Sequence, residues 1–142
     1  MKKKNENITI EKLSTSAFQN HQKKDLKVAE KLYKKILKLN PNHFESNFYL
    51  GILSAQTNNF NKAKQLLNKA IEIEPNFIDV YYNLGNVQNE LGEFEQAISS
   101  YQKAIELQPN YASAYYNLGN VQNELGEFEQ AISSYKKAIK LQ

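Results

Sequence analysis

The sequence predicts an all-α superhelix, an α-solenoid of four stacked helix-turn-helix repeats with eight helices. One reason is an internal repeat, since residues 81–101 recur unchanged as residues 115–135, at an offset of 34 residues. The other is the apolar pattern within each period, which spaces apolar residues three and four apart, as on one face of a helix. A pair of such helices cannot bury its apolar faces alone, so neighbouring repeats must stack.

The 34-residue period extends through the array at fixed turn-forming and small positions. Its prolines and alanines lie at Pro41, Pro75 and Pro109 and at Ala29, Ala63, Ala97 and Ala131. These positions divide the chain into four predicted repeats, residues 10–43, 44–77, 78–111 and 112–142. Lysine-rich residues 1–9 precede the first repeat, and we expect them to form a flexible basic tail.

The repeat 78–111 shows how each period divides into two helices. Its first apolar stripe stops at Gly92, a position typical of the left-handed residue that ends a helix. Its second stripe stops before Pro109, which cannot continue a helix. Glycine inside a helix costs about 1 kcal/mol relative to alanine. We therefore expect Gly85 to face Ala97 between the two helices and to permit their close packing.

The recurring positions resemble the tetratricopeptide repeat, whose pattern is an aromatic residue, Leu-Gly, Ala, a second aromatic residue, Ala and Pro. The repeat 78–111 supplies them in this order: Tyr81, Leu84, Gly85, Ala97, Tyr101, Ala104 and Pro109. The two earlier repeats depart from the pattern, with Leu13 and Asn47 at the first aromatic position. In the two later repeats, Gln88 and Gln122 stand where a third family position is often tyrosine.

The resemblance implies a concave groove lined by the first helix of each repeat. The residues it places there are Asp79, Tyr82, Asn83, Asn86, Asn89, Glu90, Ser113, Tyr116, Asn117, Asn120, Asn123 and Glu124. Asparagine offers donors and an acceptor that suit an extended peptide backbone, and tyrosine is favoured at binding surfaces. We therefore expect a scaffold that binds another protein or an extended peptide.

Two subtypes of the family differ in the residues that line this groove. Chaperone-binding members use lysine and other basic residues, but the corresponding positions here are Ser14, Phe48, Tyr82 and Tyr116. Asn83 and Asn117 instead resemble the asparagine ladder of the O-GlcNAc transferase repeats, and we expect both side chains to extend into solvent. Two alternatives stay open: these asparagines follow the family consensus, or the chain is the substrate-recruiting arm of a larger glycosyltransferase or sulfotransferase.

The residues that could support catalysis or metal binding are few. The chain contains no cysteine, which excludes disulfides and thiolate metal sites. His21 and His43 lie in different repeats without a third ligand at metal spacing, so solvated or capping roles are expected. The serines at 99, 100, 133 and 134 have no histidine base in their repeats. We expect no enzymatic activity, no metal and no cofactor.

Charge is distributed unevenly along the chain. Residues 1–43 hold 11 lysines and 4 acidic residues, whereas residues 44–142 hold 7 lysines and 11 acidic residues. A lysine run includes Lys23, Lys24, Lys27, Lys31, Lys34, Lys35 and Lys38. We interpret it as a solvated helix face. Contact with nucleic acid is the disfavoured alternative, because the chain has no arginine and no aromatic residue interleaves with these lysines.

No apolar run follows the N-terminal lysines, and none approaches the roughly 20 residues of a membrane span. The sequence therefore predicts a cytoplasmic protein without membrane contact.

The final repeat is a near copy of the one before it, although the array ends there. Its last helix carries Ala131, Ile132, Tyr135, Ala138 and Ile139. In the preceding repeat, we expect the equivalent residues to be covered by the first helix of the repeat that follows. Solenoids normally end in a polar face, so either the natural protein continues past Gln142 or two chains pair end against end. We expect self-association through this uncapped C-terminal helix at about tens of micromolar or above.

Overall fold

The computed structural model describes the backbone of residues 2–142 and the side chains from Asn7 onward. This part of the chain contains eight helices and no strand. They are α1 (Lys2–Gln22), α2 (Leu26–Leu39), α3 (Phe44–Gln56), α4 (Phe60–Ile73), α5 (Ile78–Glu90), α6 (Phe94–Leu107), α7 (Ala112–Glu124) and α8 (Phe128–Lys140). The predicted all-α fold with two helices in each repeat is confirmed. No helix of the described residues is long and apolar enough to cross a membrane.

The 34-residue period is visible in the backbone as well as in the sequence. One residue with positive φ lies between the two helices of each pair: Lys24 (62°), Asn58 (59°), Gly92 (72°) and Gly126 (76°). The left-handed position predicted for Gly92 is therefore confirmed. The first two repeats make the same turn without glycine, which indicates that the packing of the helix pair imposes it.

The predicted flexible tail over residues 1–9 is wrong where the structure describes it. The first helix α1 begins at Lys2 and includes residues 2–9, while Met1 lies outside the described residues. Residues 2–22 contain neither glycine nor proline. Once a helix has been nucleated, each further hydrogen bond requires only one more residue to be fixed, so α1 extends through residues 2–9.

The helices form two compact units, Met1–Glu74 and Pro75–Gln142, each with its own core. In unit 1, α3 packs against α1, α2 and α4, and its core residues are Ala17, Ala29, Tyr33, Ile36, Leu50 and Leu53. In unit 2, α7 packs against α5, α6 and α8, and its core residues are Ala97, Tyr101, Leu118 and Val121. In both units the third helix of the four is therefore the central one.

The side chain nearest to Gly85 is that of Tyr101, a neighbour that the sequence did not predict. The ring of Tyr101 fills the space beside it, and a Cβ added to Gly85 would lie 2.6 Å from Tyr101 Cε1. Tyr101 follows Ala97 by four residues and therefore lies on the same helix face. Ala97 is nevertheless completely buried. The glycine thus makes room for an aromatic ring, while its predicted close approach to Ala97 stays a prediction.

The outer face of α8 is less covered than the equivalent face of α6. On α6, Ile98 and Ile105 are partly buried against the core that includes α7. On α8, the exposed fractions are 53% for Ile132 and 71% for Ile139. Ala138 is only 2% exposed, as is Ala131, so the prediction of an uncovered helix holds for the isoleucines and is wrong for these alanines. The alanines are buried because they lie on the side of α8 that packs against α7.

Candidate functional site

A polar cavity of about 240 Å³ lies between the two first helices of unit 2, α5 and α7. Its lining residues are Asn86, Asn89, Glu90, Tyr101, Asn117 and Asn120. Five of them belong to the groove predicted from the sequence. Tyr101 was missed, because it comes from the second helix α6. Two features of the sequence could have identified it. Tyr101 recurs one period later as Tyr135, and a buried tyrosine hydroxyl usually needs a hydrogen-bond partner.

Asn86 is the centre of the hydrogen bonding in this cavity. Its Oδ1 accepts a hydrogen bond from the Tyr101 hydroxyl at 2.7 Å and another from Asn117 Nδ2 at 2.9 Å. Asn117 Nδ2 also lies 3.2 Å from the hydroxyl oxygen of Tyr82, to which it donates. Asn117 therefore links α7 to α5. Tyr101, which lies on α6, fixes the orientation of the Asn86 side chain.

The same tyrosine–asparagine pair occurs one repeat later. The Tyr135 hydroxyl donates to Asn120 Oδ1 at 2.8 Å. With both acceptors engaged, the Nδ2 groups of Asn86 and Asn120 have no hydrogen-bond partner among the residues that the structure describes. The cavity therefore presents two oriented amide donors, one from each repeat.

Asn89 and Glu90 supply further polar groups at the C-terminal end of α5. Within the described part of the chain, neither side chain makes a hydrogen bond or an ion pair. Asn89 is half-buried and Glu90 is exposed. A ligand in the cavity can thus reach a carboxamide and a carboxylate that form no hydrogen bond or ion pair with the described residues.

The expectation that Asn83 and Asn117 extend into solvent is wrong. Asn83 Nδ2 donates to its own helix at the Asp79 carbonyl oxygen, at 2.7 Å, a bond that asparagine readily makes inside a helix. Asn117 makes the interhelical bonds described above. Each amide thus has one group engaged within the protein, while its Oδ1 accepts no hydrogen bond from the described residues. The role of both residues in binding stays a prediction.

Tyr82 lies in an aromatic cluster rather than alone on the helix surface. Its ring centroid is 5.0 Å from that of Tyr111 and 6.2 Å from that of Tyr101. The Tyr111 hydroxyl donates to Asp79 Oδ1 at 3.4 Å. Burial, together with the negative charge of Asp79, raises the pKa of Tyr111 to about 12. The sequence analysis missed Tyr111, which lies in the turn before α7.

The remaining groove residues lie on α7 outside the cavity. Ser113, Tyr116, Asn123 and Glu124 are all exposed. The exposed fraction of Tyr116 is 54%, and its ring packs against Tyr135 with centroids 5.7 Å apart. The structure thus brings five of the twelve predicted residues into one cavity and leaves these four on the surface around it.

At the third family position that is often tyrosine, this chain has Gln88 and Gln122, and each forms a buried hydrogen bond. The Ser100 hydroxyl donates to Gln88 Oε1 at 2.6 Å, and Ser134 donates to Gln122 Oε1 at 2.7 Å. The two pairs join the two helices of each repeat in unit 2. Ser100 and Ser134 are therefore structural residues.

The two histidines both support helix packing in unit 1. His43 caps α3, because its Nδ1 accepts a hydrogen bond from the Ser46 backbone N–H at 3.2 Å. This confirms one of the predicted roles. His21 is half-buried, not solvated, and its Nε2 lies 3.0 Å from Gln56 Oε1. It contacts the ring of Tyr33, which explains its position between helices.

The lysine run is exposed along its whole length, from Lys23 to Lys38. Lys34 forms an ion pair with Glu30, whose carboxylate also lies 3.3 Å from Lys62 Nζ. The pKa of Glu30 is lowered from its ordinary value, mainly by the hydrogen bond that Lys34 donates to its carboxylate. The interpretation as a solvated helix face is confirmed.

Comparison with protein families finds matches to repeat models over residues 20–142. The family description "TPR repeat" matches residues 54–92 and 85–126, and "Tetratricopeptide repeat" matches residues 20–43, 32–65 and 112–142. This chain belongs to the tetratricopeptide repeat family. As in other tetratricopeptide repeat proteins, the first helices of neighbouring repeats lie side by side, here α5 beside α7.

Solved structures of MamA are similar to this tetratricopeptide repeat chain. One is 34% identical, with a TM-score of 0.85, and the match covers 89% of this chain and 74% of that one. A second is 33% identical, with a TM-score of 0.89, and covers 94% and 73%. MamA 41-end from Desulfovibrio magneticus RS-1 shares the fold at 24% identity, with a TM-score of 0.89 and coverage of 93% and 75%. No curated protein sequence matches the chain.

Proposed function

We propose that this tetratricopeptide repeat scaffold holds an extended peptide of a partner protein at the cavity between α5 and α7. The observation that carries the proposal is the pairing of two of the four cavity asparagines with a tyrosine of a second helix, Asn86 with Tyr101 and Asn120 with Tyr135. Side chains that are already oriented lose less conformational entropy when a ligand binds.

The polar groups of the cavity fit the main chain of a peptide. The Nδ2 groups of Asn86 and Asn120 can donate to peptide carbonyl oxygens. Asn89 can donate or accept, and Glu90 can accept from a peptide N–H group. Each such hydrogen bond contributes about 0.5–1.5 kcal/mol net, so affinity depends on several of them together. The chemistry is that of binding, not of catalysis.

The proposal is tested with peptides selected from a random phage-displayed library on the immobilised chain and titrated by calorimetry. Asn89→Ala is the informative variant, because its side chain lines the cavity and makes no hydrogen bond within the described protein. We expect it to weaken binding by about twofold to tenfold. Gln96→Ala, at an exposed position on α6, is the matched control and should change nothing. Equal affinities for both variants would reject the cavity as the binding site.

Three narrower expectations are kept as hypotheses beside this proposal. The closer resemblance to the O-GlcNAc transferase repeats is one, and it requires Asn83 and Asn117 to bind the peptide backbone through amide groups that their present hydrogen bonds leave open. A cytoplasmic location is the second, to be tested by cell fractionation. Binding of protein rather than nucleic acid is the third. The comparisons do not favour a substrate-recruiting arm of a transferase, since the similar solved structures named above are MamA proteins.

A second copy of the chain is the proposed occupant of the exposed face of α8. Phe128, Ile132 and Ile139 are more than half exposed there, whereas their counterparts on α6 are partly buried against α7. Pairing of two such faces is expected to be isologous, as in most homodimers. It would remove from water the apolar area that one chain leaves uncovered.

A further inference from the structure

A second cavity, of about 380 Å³, lies in unit 1 beside α1 and α3. Aromatic rings form much of its wall, contributed by Phe18, Tyr33 and Tyr49. Two carboxylate residues, Glu11 and Glu45, also line it. Within the described residues, no lysine contributes to this wall, although the lysine run belongs to the same unit.

The ring of Tyr49 contacts both of the other rings. The centroids of Phe18 and Tyr49 are 5.1 Å apart, and those of Tyr33 and Tyr49 are 6.2 Å apart with nearly parallel planes. Phe18 is 38% exposed, so a ligand can reach its ring. The faces of aromatic rings carry partial negative charge and attract cations.

The 34-residue period relates three lining residues of this cavity, Phe18, Tyr33 and Tyr49, to lining residues of the amide cavity. Two periods separate Phe18 from Asn86 and Tyr49 from Asn117. In unit 2 these positions are joined by the hydrogen bond between Asn117 and Asn86, whereas in unit 1 a ring contact takes its place. The cavity of unit 1 also has Ser14, Thr15 and His43 in its wall, but no asparagine amide lines it. Its aromatic rings favour a chemical group other than the peptide backbone.

The carboxylates of Glu11 and Glu45 indicate the charge of the chemical group that this cavity would bind. Glu11 forms no ion pair with any described residue, and the side chain of Glu45 is 56% exposed. The nearest basic group to Glu45 is His43, whose Nε2 lies 3.5 Å from its Oε2. His43 Nδ1 accepts a backbone hydrogen bond, so its Nε2 carries a hydrogen toward Glu45. Two carboxylates beside accessible rings are complementary to a cationic side chain.

We propose that the cavity of unit 1 takes the side chain of a lysine or arginine from the partner. The cation would lie against the rings of Phe18 and Tyr49, with its charge near the carboxylates of Glu11 and Glu45. This inference rests on the proposed function in one respect, because the cationic side chain belongs to the peptide that the proposed function assigns to this protein. It adds a side-chain preference that the amide cavity does not provide.

The test is an NMR titration of the whole chain with single-residue probes. N-acetyl-arginine methylamide and N-acetyl-lysine methylamide are compared with N-acetyl-norleucine methylamide, which has a similar apolar stem and no charge. We expect at least one cationic probe to shift the ring signals of Phe18 and Tyr49 in a saturable manner. The norleucine probe should bind about tenfold more weakly. Equal binding of all three probes, or no shift of these rings with either cation, would overturn the inference.

Variants separate this cavity from general electrostatic attraction. Glu11→Gln combined with Glu45→Gln should weaken binding of the cationic probe about fivefold. Glu72→Gln combined with Glu74→Gln removes two exposed acids of unit 1 outside the cavity and should have no effect. Phe18→Asn, which introduces the residue found two periods later, should also weaken binding. Unchanged binding in the Glu11 and Glu45 variant contradicts the inference.

Probe binding at the cavity of unit 1 and peptide binding at the amide cavity can be tested separately. Capture of the cationic probe with no effect of Asn89→Ala on selected peptides would reject the amide cavity alone. Loss of peptide binding in Asn89→Ala without cation capture would reject the aromatic cavity alone.

Discussion

The hydroxyl of Tyr101 donates to Oδ1 of Asn86 over 2.7 Å. Through this bond a residue of the second helix orients a residue of the first helix toward the cavity. The recurrence of the bond between Tyr135 and Asn120 indicates that it belongs to the repeat and not to one site. In both repeats of unit 2, a tyrosine of the second helix therefore fixes the orientation of an asparagine that lines the candidate cavity.

Removing this hydroxyl should weaken both folding and binding. Tyr101→Phe leaves Asn86 Oδ1 with Asn117 as its remaining partner, and we expect a loss of about 0.5–1.5 kcal/mol in the free energy of unfolding. Selected peptides should also bind more weakly, because Asn86 is then less restrained. Urea denaturation and calorimetry measure the two effects. Tyr115→Phe, whose hydroxyl makes no hydrogen bond among the described residues, is the control and should match the unmodified chain.

Gly85 should not tolerate a methyl group. A Cβ there would lie 2.6 Å from the Tyr101 ring, and overpacking of this kind costs about 1–3 kcal/mol. This exceeds the gain of about 1 kcal/mol that alanine gives inside a helix. Thermal unfolding of Gly85→Ala should show a lower melting temperature. Gly51→Ala should be milder, because its nearest neighbour is the flexible Leu67 side chain at 3.0 Å; equal effects at both glycines would contradict the role of the ring.

Lys24 is a position where the chain can be stabilised. Its φ of 62° is left-handed, a conformation that costs non-glycine residues roughly 1–2 kcal/mol. Lys24→Gly should therefore raise the free energy of unfolding by about 1 kcal/mol, as measured by urea denaturation. The neighbouring Lys23→Gly relieves no such strain and should be neutral or destabilising. A loss of stability in Lys24→Gly would show that the lysine is not strained in this turn.

Stability should fall in alkaline solution, in part through Tyr111. Its pKa is raised from 10.0 to about 12 in the folded protein, so the folded state keeps a proton that the unfolded state releases. The stabilisation is complete below about pH 10 and is lost as the pH rises toward 12. Urea unfolding at about pH 9 and pH 11 should show a smaller alkaline loss in Tyr111→Phe than in the unmodified chain. Identical losses would mean that Tyr111 does not contribute.

The exposed face of α8 should cause self-association. Sedimentation equilibrium of the unmodified chain should show dimers at about tens of micromolar. Ile132→Lys with Ile139→Lys should give a monomer, because it charges the apolar face. Gln96→Lys with Gln102→Lys, both at exposed positions on α6, should leave the association unchanged. A strict monomer at high concentration would reject the proposal.

The sequence alone determined the repeat, its length and its division into helix pairs. The exact recurrence of residues 81–101 sets the period, while the prolines and Gly92 mark the ends of helices. These features are local, because backbone preferences and the spacing of apolar residues depend on nearby positions. They were sufficient to predict the family and to place the candidate binding residues on first helices.

Only the tertiary structure decided which of these residues act together. Asn83, Asn86 and Asn89 recur at three-residue spacing on α5 and look equivalent in the sequence. Yet one bonds to its own backbone, one is held by Tyr101, and one makes no internal side-chain bond. The partner of Gly85 and the ring contact between Phe18 and Tyr49 were equally hidden. Helical periodicity specifies the face of a helix, but the rotation and register of packed helices determine which side chains meet across it.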